Sequence, residues 1–288
     1  MSAIFSSIAW CATGALTLDG ALRITPSALF RTLRERPSLV LRFLFVVWIA
    51  APALAIGVTR VFHLHGAGGA AVLLMAICPG VPVVLWSTRS LSGATNTALV
   101  VLLASALTAP VFMPPLAKLI SALHPAQFSV PSRRIVLTLL PTVFAPIALG
   151  LSVRALSPRL AGALARLTDV VARAGFAVVV VGVLVRGGPL LMSVPPRTFV
   201  AVVIVTLGEA LLGYWAGGPD PGDRRATSMA AALGNPALAL AVVAVSYPGY
   251  KAVTVVAAYV LIRAIALIPF KRWLKPGPSP RAHRATAR

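Results

Sequence analysis

Long apolar runs dominate the chain, and polar residues gather in the short intervals between them. Several runs reach the ~20 apolar residues that a helix needs to cross a bilayer. The alternation predicts nine membrane-spanning helices, over about residues 4–23, 39–58, 68–87, 95–119, 135–156, 170–185, 198–216, 227–246 and 252–270. The first is the least regular, because Asp19 and several Ser and Thr residues interrupt it. The basic segment 25–37, with Arg31, Arg34 and Arg36, reads as a linker. The loop 124–134, with Pro125 and Pro131, separates two halves of the chain.

Two runs are broken near their middles by residues hostile to helix. The third span carries Cys78-Pro79-Gly80-Val81-Pro82 and the eighth carries Gly234-Asn235-Pro236. The breaks stand in corresponding places of the two halves. A broken helix at membrane depth strands backbone N–H and C=O groups that hydrocarbon cannot satisfy, so such breaks persist only where they are buried or line a polar cavity. Paired breaks of this kind mark the binding site of a secondary transporter.

Composition agrees with a polytopic membrane protein. Of 288 residues, 58% are hydrophobic and 11% charged, with six acidic side chains. A soluble domain carries about 25% charged residues. The net charge of +20 raises a nucleic-acid reading. The placement of Lys and Arg in short connections and in the tail excludes it in favour of membrane topology and attraction to anionic lipid. With the tail inside, the groups at 31–42, Arg89, 154–166 and Arg224-Arg225 also fall inside. Arg60, Lys118, Arg133, Arg134, Arg186, Arg197 and Lys251 fall outside. The inside set is the larger, so the C-terminus is expected in the cytoplasm. Cys11 and Cys78 lie in apolar segments, where neither a disulfide nor a metal site is expected.

Few side chains offer chemistry at membrane depth. Asn235 is the one carboxamide at the second break, where it either binds substrate or satisfies stranded backbone beside Pro236. Half-helix N-termini at the breaks favour an anionic group. Glu209 lies mid-membrane in the seventh span, and a carboxylate there is a functional candidate by default. It is a candidate carrier of a coupling proton, or a structural carboxyl paired with Arg263 or Arg173. Thr108, Thr227 and Ser228 are substrate-binding candidates together with Cys78, Pro79, Gly80, Pro82, Asn235 and Pro236. Ser and Thr in membrane helices more often bond to their own helix or a neighbour. His63 and His65 lack a third ligand for a metal. No catalytic triad, phosphate loop or paired carboxylates is present, so neither an enzyme nor a cofactor is expected.

Several of these residues also carry a resemblance. Cys78-Pro79-Gly80, Gly93 and Leu107-Thr108-Ala109-Pro110 resemble the first signature of the bile acid:sodium symporter family. Asp223-Arg224-Arg225 and the stretch from Gly234-Asn235-Pro236 to Ala241 resemble its second, and Leu167-Thr168-Asp169 also fits. The likeness runs from about residue 10 to 272, and the stretch 217–225 looks most like a divergent bacterial branch. The resemblance implies an all-α membrane protein with two inverted five-span repeats, here lacking the family's first span. Two broken helices would cross in a core domain, about 36–130 and 195–272, beside a panel domain, about 1–35 and 131–194. Residues 273–288 would form a disordered cytoplasmic tail.

The departures are informative. Where the family places the polar side chains that bind sodium, this chain has Val84, Leu85, Ala98, Leu102, Ala230 and Gly234. None of these side chains offers an oxygen. The expected function is alternating-access transport of a small organic anion or amphipathic carboxylate across a bacterial inner membrane. It would run without the family's usual sodium sites, coupled to protons or not coupled. The alternative is a membrane scaffold or sensor that keeps the fold without transporting.

Overall fold

The computed structural model describes residues 3–78, 80, 83–123, 137, 140–191, 195–235, 239 and 250–275. The described residues are helical, with no strand among them. In chain order the helices are α1 (Ala3–Leu22), α2 (Pro26–Glu35), α3 (Pro37–Val61), α4 (Gly66–Ile77), α5 (Val83–Ser90) and α6 (Thr95–Leu123). Then follow α7 (Ala145–Leu156), α8 (Pro158–Leu191), α9 (Pro196–Ala216), α10 (Pro221–Leu233) and α11 (Tyr250–Leu274). By length and composition α3, α6 and α9 are able to cross a membrane, and Gly68–Ile77 and Ala145–Leu156 are shorter apolar helices.

Prolines shape these helices without ending them. A π-helical turn at Val46–Ala50 precedes Pro52 in α3, and another at Leu140–Phe144 precedes Pro146 at the start of α7. Proline removes an intrahelical donor, and a π turn is one way to absorb the misfit. The long α6 contains Pro110, Pro114 and Pro115 and stays helical throughout. Neighbouring helices make this tolerable within a membrane.

Two expectations change. The segment 25–37 is not an extended linker, because α2 occupies most of it. Pro26 opens this helix at a position where its missing N–H is harmless. Phe30 lies largely exposed beside Arg31 and Arg34. The basic connection before the sixth span is also helix. Only Ser157 separates α7 from α8, and its hydroxyl accepts from the Leu160 N–H at 3.4 Å as an N-terminal cap. The expected span 170–185 lies within the 34 residues of α8. At ~1.5 Å per residue, α8 outreaches the ~30 Å hydrocarbon core by several turns, which lets Arg159 and Arg166 lie beyond it. The expected spans 135–156 and 227–246, the loop 124–134 and the tail fall partly or wholly outside the described residues.

The hydrophobic core has two parts. A large cluster unites α3, α4, α6, α9, α10 and α11, with Phe43, Leu73, Met75, Ile77, Met113 and Tyr259 fully covered. A small one holds Leu22 of α1 against Ala161 and Ala165 of α8. Accordingly α1 lies along α7 and α8, while α9 lies against α10, α11 and α3.

Polar ties gather at one end of the molecule. Asp220 caps α10, its Oδ1 accepting from the N–H groups of Gly222 at 2.7 Å and Asp223 at 3.0 Å. Asp223 accepts from Thr97 Oγ1 and from Arg36 Nη1, both at 2.6 Å, so one carboxylate joins the start of α10 to α6 and to the α2–α3 joint. Arg225 donates to the Ser92 carbonyl at 3.3 Å, and the Ala94 N–H to that of Gly222 at 3.0 Å. Trp86 donates to Asp169 at 3.2 Å, and Arg173, paired with Asp169 at 2.7 Å, covers the Trp86 ring. Thus Gly93, Asp169 and the Asp223-Arg224-Arg225 run, distant in sequence, brace the same end.

Candidate functional site

The two breaks meet. At the end of α4 the backbone turns extended at Cys78, and α5 begins only at Val83. At the end of α10, Gly234 takes φ +49°, a conformation that L side chains avoid. The chain then turns so that the Asn235 N–H donates to the Cys78 carbonyl at 3.2 Å. The Asn235 carbonyl accepts from the Ala239 N–H at 3.0 Å, the spacing of a first helical turn. Each break thereby satisfies backbone groups that the other leaves stranded, which hydrocarbon would not do.

Gly80 shows how close the approach is. A Cβ there would stand 2.7 Å from the Ala230 carbonyl oxygen and 2.9 Å from Leu102 Cδ2. Only glycine fits against the last turn of α10. Cys78, Gly80 and Asn235 are therefore brought together, and the Asn235 side chain is buried. Pro79, Pro82 and Pro236 lie outside the described residues.

A buried ion pair adjoins the crossing. Arg263 of α11 donates through Nη2 to Glu209 Oε2 of α9, and both side chains are almost wholly covered. Of the two partners weighed for Glu209, Arg263 is the one that holds it; Arg173 is engaged with Asp169. The Arg263 guanidinium lies 5.6 Å from the Tyr259 ring centroid, and the Tyr259 hydroxyl faces Thr206. The other end of the guanidinium presses on the second break. A Cβ on Gly234 would stand 2.7 Å from Arg263 Nη1 and 3.5 Å from the Cys78 oxygen. Nη1 and Nε of Arg263 have no hydrogen-bond partner among the described residues. Buried charged donors without partners are costly and call for an explanation.

The remaining candidates sit elsewhere. The Thr108 hydroxyl donates to the Ala104 carbonyl at 2.8 Å and accepts from Trp48 Nε1 at 3.0 Å. Thr227 donates to the Asp223 carbonyl at 2.8 Å, one turn back in α10. Ser228 donates to the Ala210 carbonyl at 2.7 Å and so ties α10 to α9. All three bond to backbone, their usual behaviour within membrane helices. Val84, Leu85, Ala98, Leu102 and Ala230, which the resemblance set against the family's sodium ligands, are buried in the apolar core. Among the described residues no three His, Cys, Asp or Glu side chains converge as metal ligands.

Arg263 was weighed from the sequence only as a partner for Glu209. The signal was available, because Leu261-Ile262-Arg263-Ala264-Ile265 sets a charge inside an apolar run. The rule that flags one intramembrane charge flags the other equally.

A comparison with known families covers the first signature. The family description "Sodium Bile acid symporter family" matches residues 20–194, more than half of the chain. The match includes the first break, Gly93 and Asp169, and stops short of the second break. No curated protein matches the chain. On the strength of that match, this chain belongs to the sodium bile acid symporter family, a family of membrane transporters.

Proposed function

We propose that the protein is a secondary transporter that carries a small organic anion or amphipathic carboxylate by alternating access at the crossing of its two breaks. The observation that carries the reading is the junction of Cys78 with Asn235, set beside the covered guanidinium of Arg263. A crossing built of stranded backbone, a half-helix start and a buried cation is suited to a negative group. In this reading nine spans form two inverted repeats. The helices from about 36–130 and 195–272 form a core that rocks against a panel of about 1–35 and 131–194, in a bacterial inner membrane with the C-terminus cytoplasmic. The separate small cluster between α1 and α8 supports that division.

Coupling in this reading runs through protons and not through sodium. Hydrocarbon at Val84, Leu85, Ala98, Leu102 and Ala230 leaves no side-chain oxygen for sodium at those positions. Glu209 is the carboxylate placed to take up a proton.

Ligand-dependent stabilisation of the purified protein tests the reading, with formate, acetate, benzoate and cholate screened at two pH values, with and without sodium. Binding stabilises the folded state according to occupancy. The expected result is stabilisation by at least one carboxylate, stronger at the lower pH and indifferent to sodium. Stabilisation that requires sodium would refute the coupling. Silence toward every carboxylate at both pH values would return the chain to a scaffold that keeps the fold without carrying a solute.

A further inference from the structure

The transport reading sets a buried guanidinium at the crossing but leaves its donors unassigned: one nitrogen is committed and two are open. Glu209 engages Nη2, while Nη1 and Nε find no partner among the described residues. Of these open donors, Nη1 is aimed at the second break. Nη1 stands against Gly234, at the point where the missing side chain leaves room and where the Cys78 carbonyl also converges. Beyond Gly234 the Asn235 carbonyl accepts from the Ala239 N–H, the spacing of a first helical turn.

We propose that Arg263 is the anion-binding residue of this site, and that the substrate's carboxylate exchanges with Glu209 for its guanidinium. The inference rests on the transport reading and deepens it. A guanidinium presents planar paired donors that match a carboxylate edge to edge.

The charge balance fixes the coupling. The empty site holds one carboxylate and one guanidinium, and is neutral. An arriving carboxylate adds a negative charge to a covered site. When it takes the guanidinium, Glu209 loses its partner and takes one proton from water, so the loaded site is neutral again. One anion and one proton travel together. The groups that face Glu209 permit this. Arg263 of α11 holds Glu209 directly, while Tyr259 of α11 and the Cys78 carbonyl at the end of α4 lie on the guanidinium's side of the pair and add no carboxylate. Beside Glu209, α3 brings Leu54 against Gly208 and α10 brings Ser228 to the Ala210 carbonyl. Neither adds a charge, so Glu209 is the site's one carboxylate among the described residues.

The test uses full-length protein in lipid nanodiscs with benzoate and cholate as probes and benzamide as the neutral control. Affinity comes from calorimetry, and proton uptake from a pH-indicator dye in weak buffer. Wild type is expected to bind a carboxylate and not benzamide, taking up about one proton for each anion bound. Arg263→Lys keeps the charge and loses the fork, and should weaken binding about tenfold or more. Glu209→Gln should bind the carboxylate without proton uptake. The double variant Arg263→Gln with Glu209→Gln removes both charges together, guards against a folding defect, and should not bind.

The outcomes separate the two readings. Wild type blind to both carboxylates overturns the transport reading and this inference with it. A double variant that binds as wild type does overturns the role of Arg263 and leaves transport standing. Proton uptake that survives in Glu209→Gln overturns the exchange. Should the double variant not fold, Arg263→Lys decides, and affinity within about twofold of wild type overturns the guanidinium's role.

Discussion

Single residues in this protein are best weighed by what each leaves behind when removed. Glu209→Leu would strand the Arg263 guanidinium in the core, and should lower the unfolding free energy by about 3–5 kcal/mol, read by denaturant unfolding in detergent. Glu209→Gln keeps an acceptor for Nη2 and should lose only about 1–3 kcal/mol. The comparison separates the charge from the hydrogen bond. Asp223 divides differently. Its Oδ1 serves the buried Thr97 hydroxyl, while its Oδ2 serves Arg36, whose side chain is 55% exposed. An exposed pair contributes about 0–1 kcal/mol, whereas a buried hydroxyl without its acceptor costs about 1–3. Asp223→Ala should therefore destabilise far more than Arg36→Ala, and thermal melts of the two variants check it. At this scale the sequence was legible where composition forces geometry. Glycine, proline and asparagine inside apolar runs announce a crossing, and Cys78, Gly80 and Asn235 do converge. It was not legible for Thr227 and Ser228, whose hydroxyls bond to carbonyls within α10 and across to α9. Which acceptor a hydroxyl finds depends on how two helices lie together, and no single run encodes that.

Among the elements, the crossing and α2 make the sharpest claims. Gly80→Ala forces a methyl group to within 2.7 Å of the Ala230 carbonyl, a backbone atom that cannot swing aside. It should push α10 away from the first break and weaken carboxylate binding about tenfold or more, measured beside the wild type. Helix α2 places Phe30, 68% exposed, beside Arg31 and Arg34 and just ahead of a long apolar helix. Such a helix suits the headgroup level of a bilayer with anionic lipid. Phe30→Trp should fluoresce at short wavelength in vesicles containing anionic lipid and be quenched by lipids brominated near the headgroup. Quenching only by lipids brominated deep in the chains, or by none, would remove α2 from the interface. Hydropathy found the apolar runs and overlooked α2, because a ten-residue amphipathic helix is too polar to register as a span. The same reading divided α8 from its basic first turns, since charge was taken for a loop. A helix longer than the bilayer is thick carries its charges beyond the hydrocarbon and remains helix.

The whole molecule is organised by where its charges lie. Arg36, Asp169, Arg173, Asp223 and Arg225 all serve ties at one end, and Lys271 joins them by donating to Ser87 at 3.0 Å. In the proposed topology, the positive-inside rule sets that end in the cytoplasm. A fluorescent protein fused after Arg288 should therefore light up in a bacterial host, while alkaline phosphatase fused at the same place stays inactive; the reverse pattern would invert the topology. The all-helical membrane character was legible because bilayer thickness is a one-dimensional constraint that a sequence can display. The ion pair at the molecule's centre was legible only as one of two alternatives, because Glu209 and Arg263 stand 54 residues apart and the fold selects Arg263 over Arg173. Cys78 adds one last consequence. Its thiol is buried at the junction of the two breaks, while the other cysteine, Cys11, is exposed. With Cys11→Ser in place, the protein carries its own chemical clock. A membrane-impermeant maleimide should alkylate Cys78 only during the moments when the junction lies open to one face. The rate of labelling from each side of a sealed vesicle then counts how often the molecule faces that way.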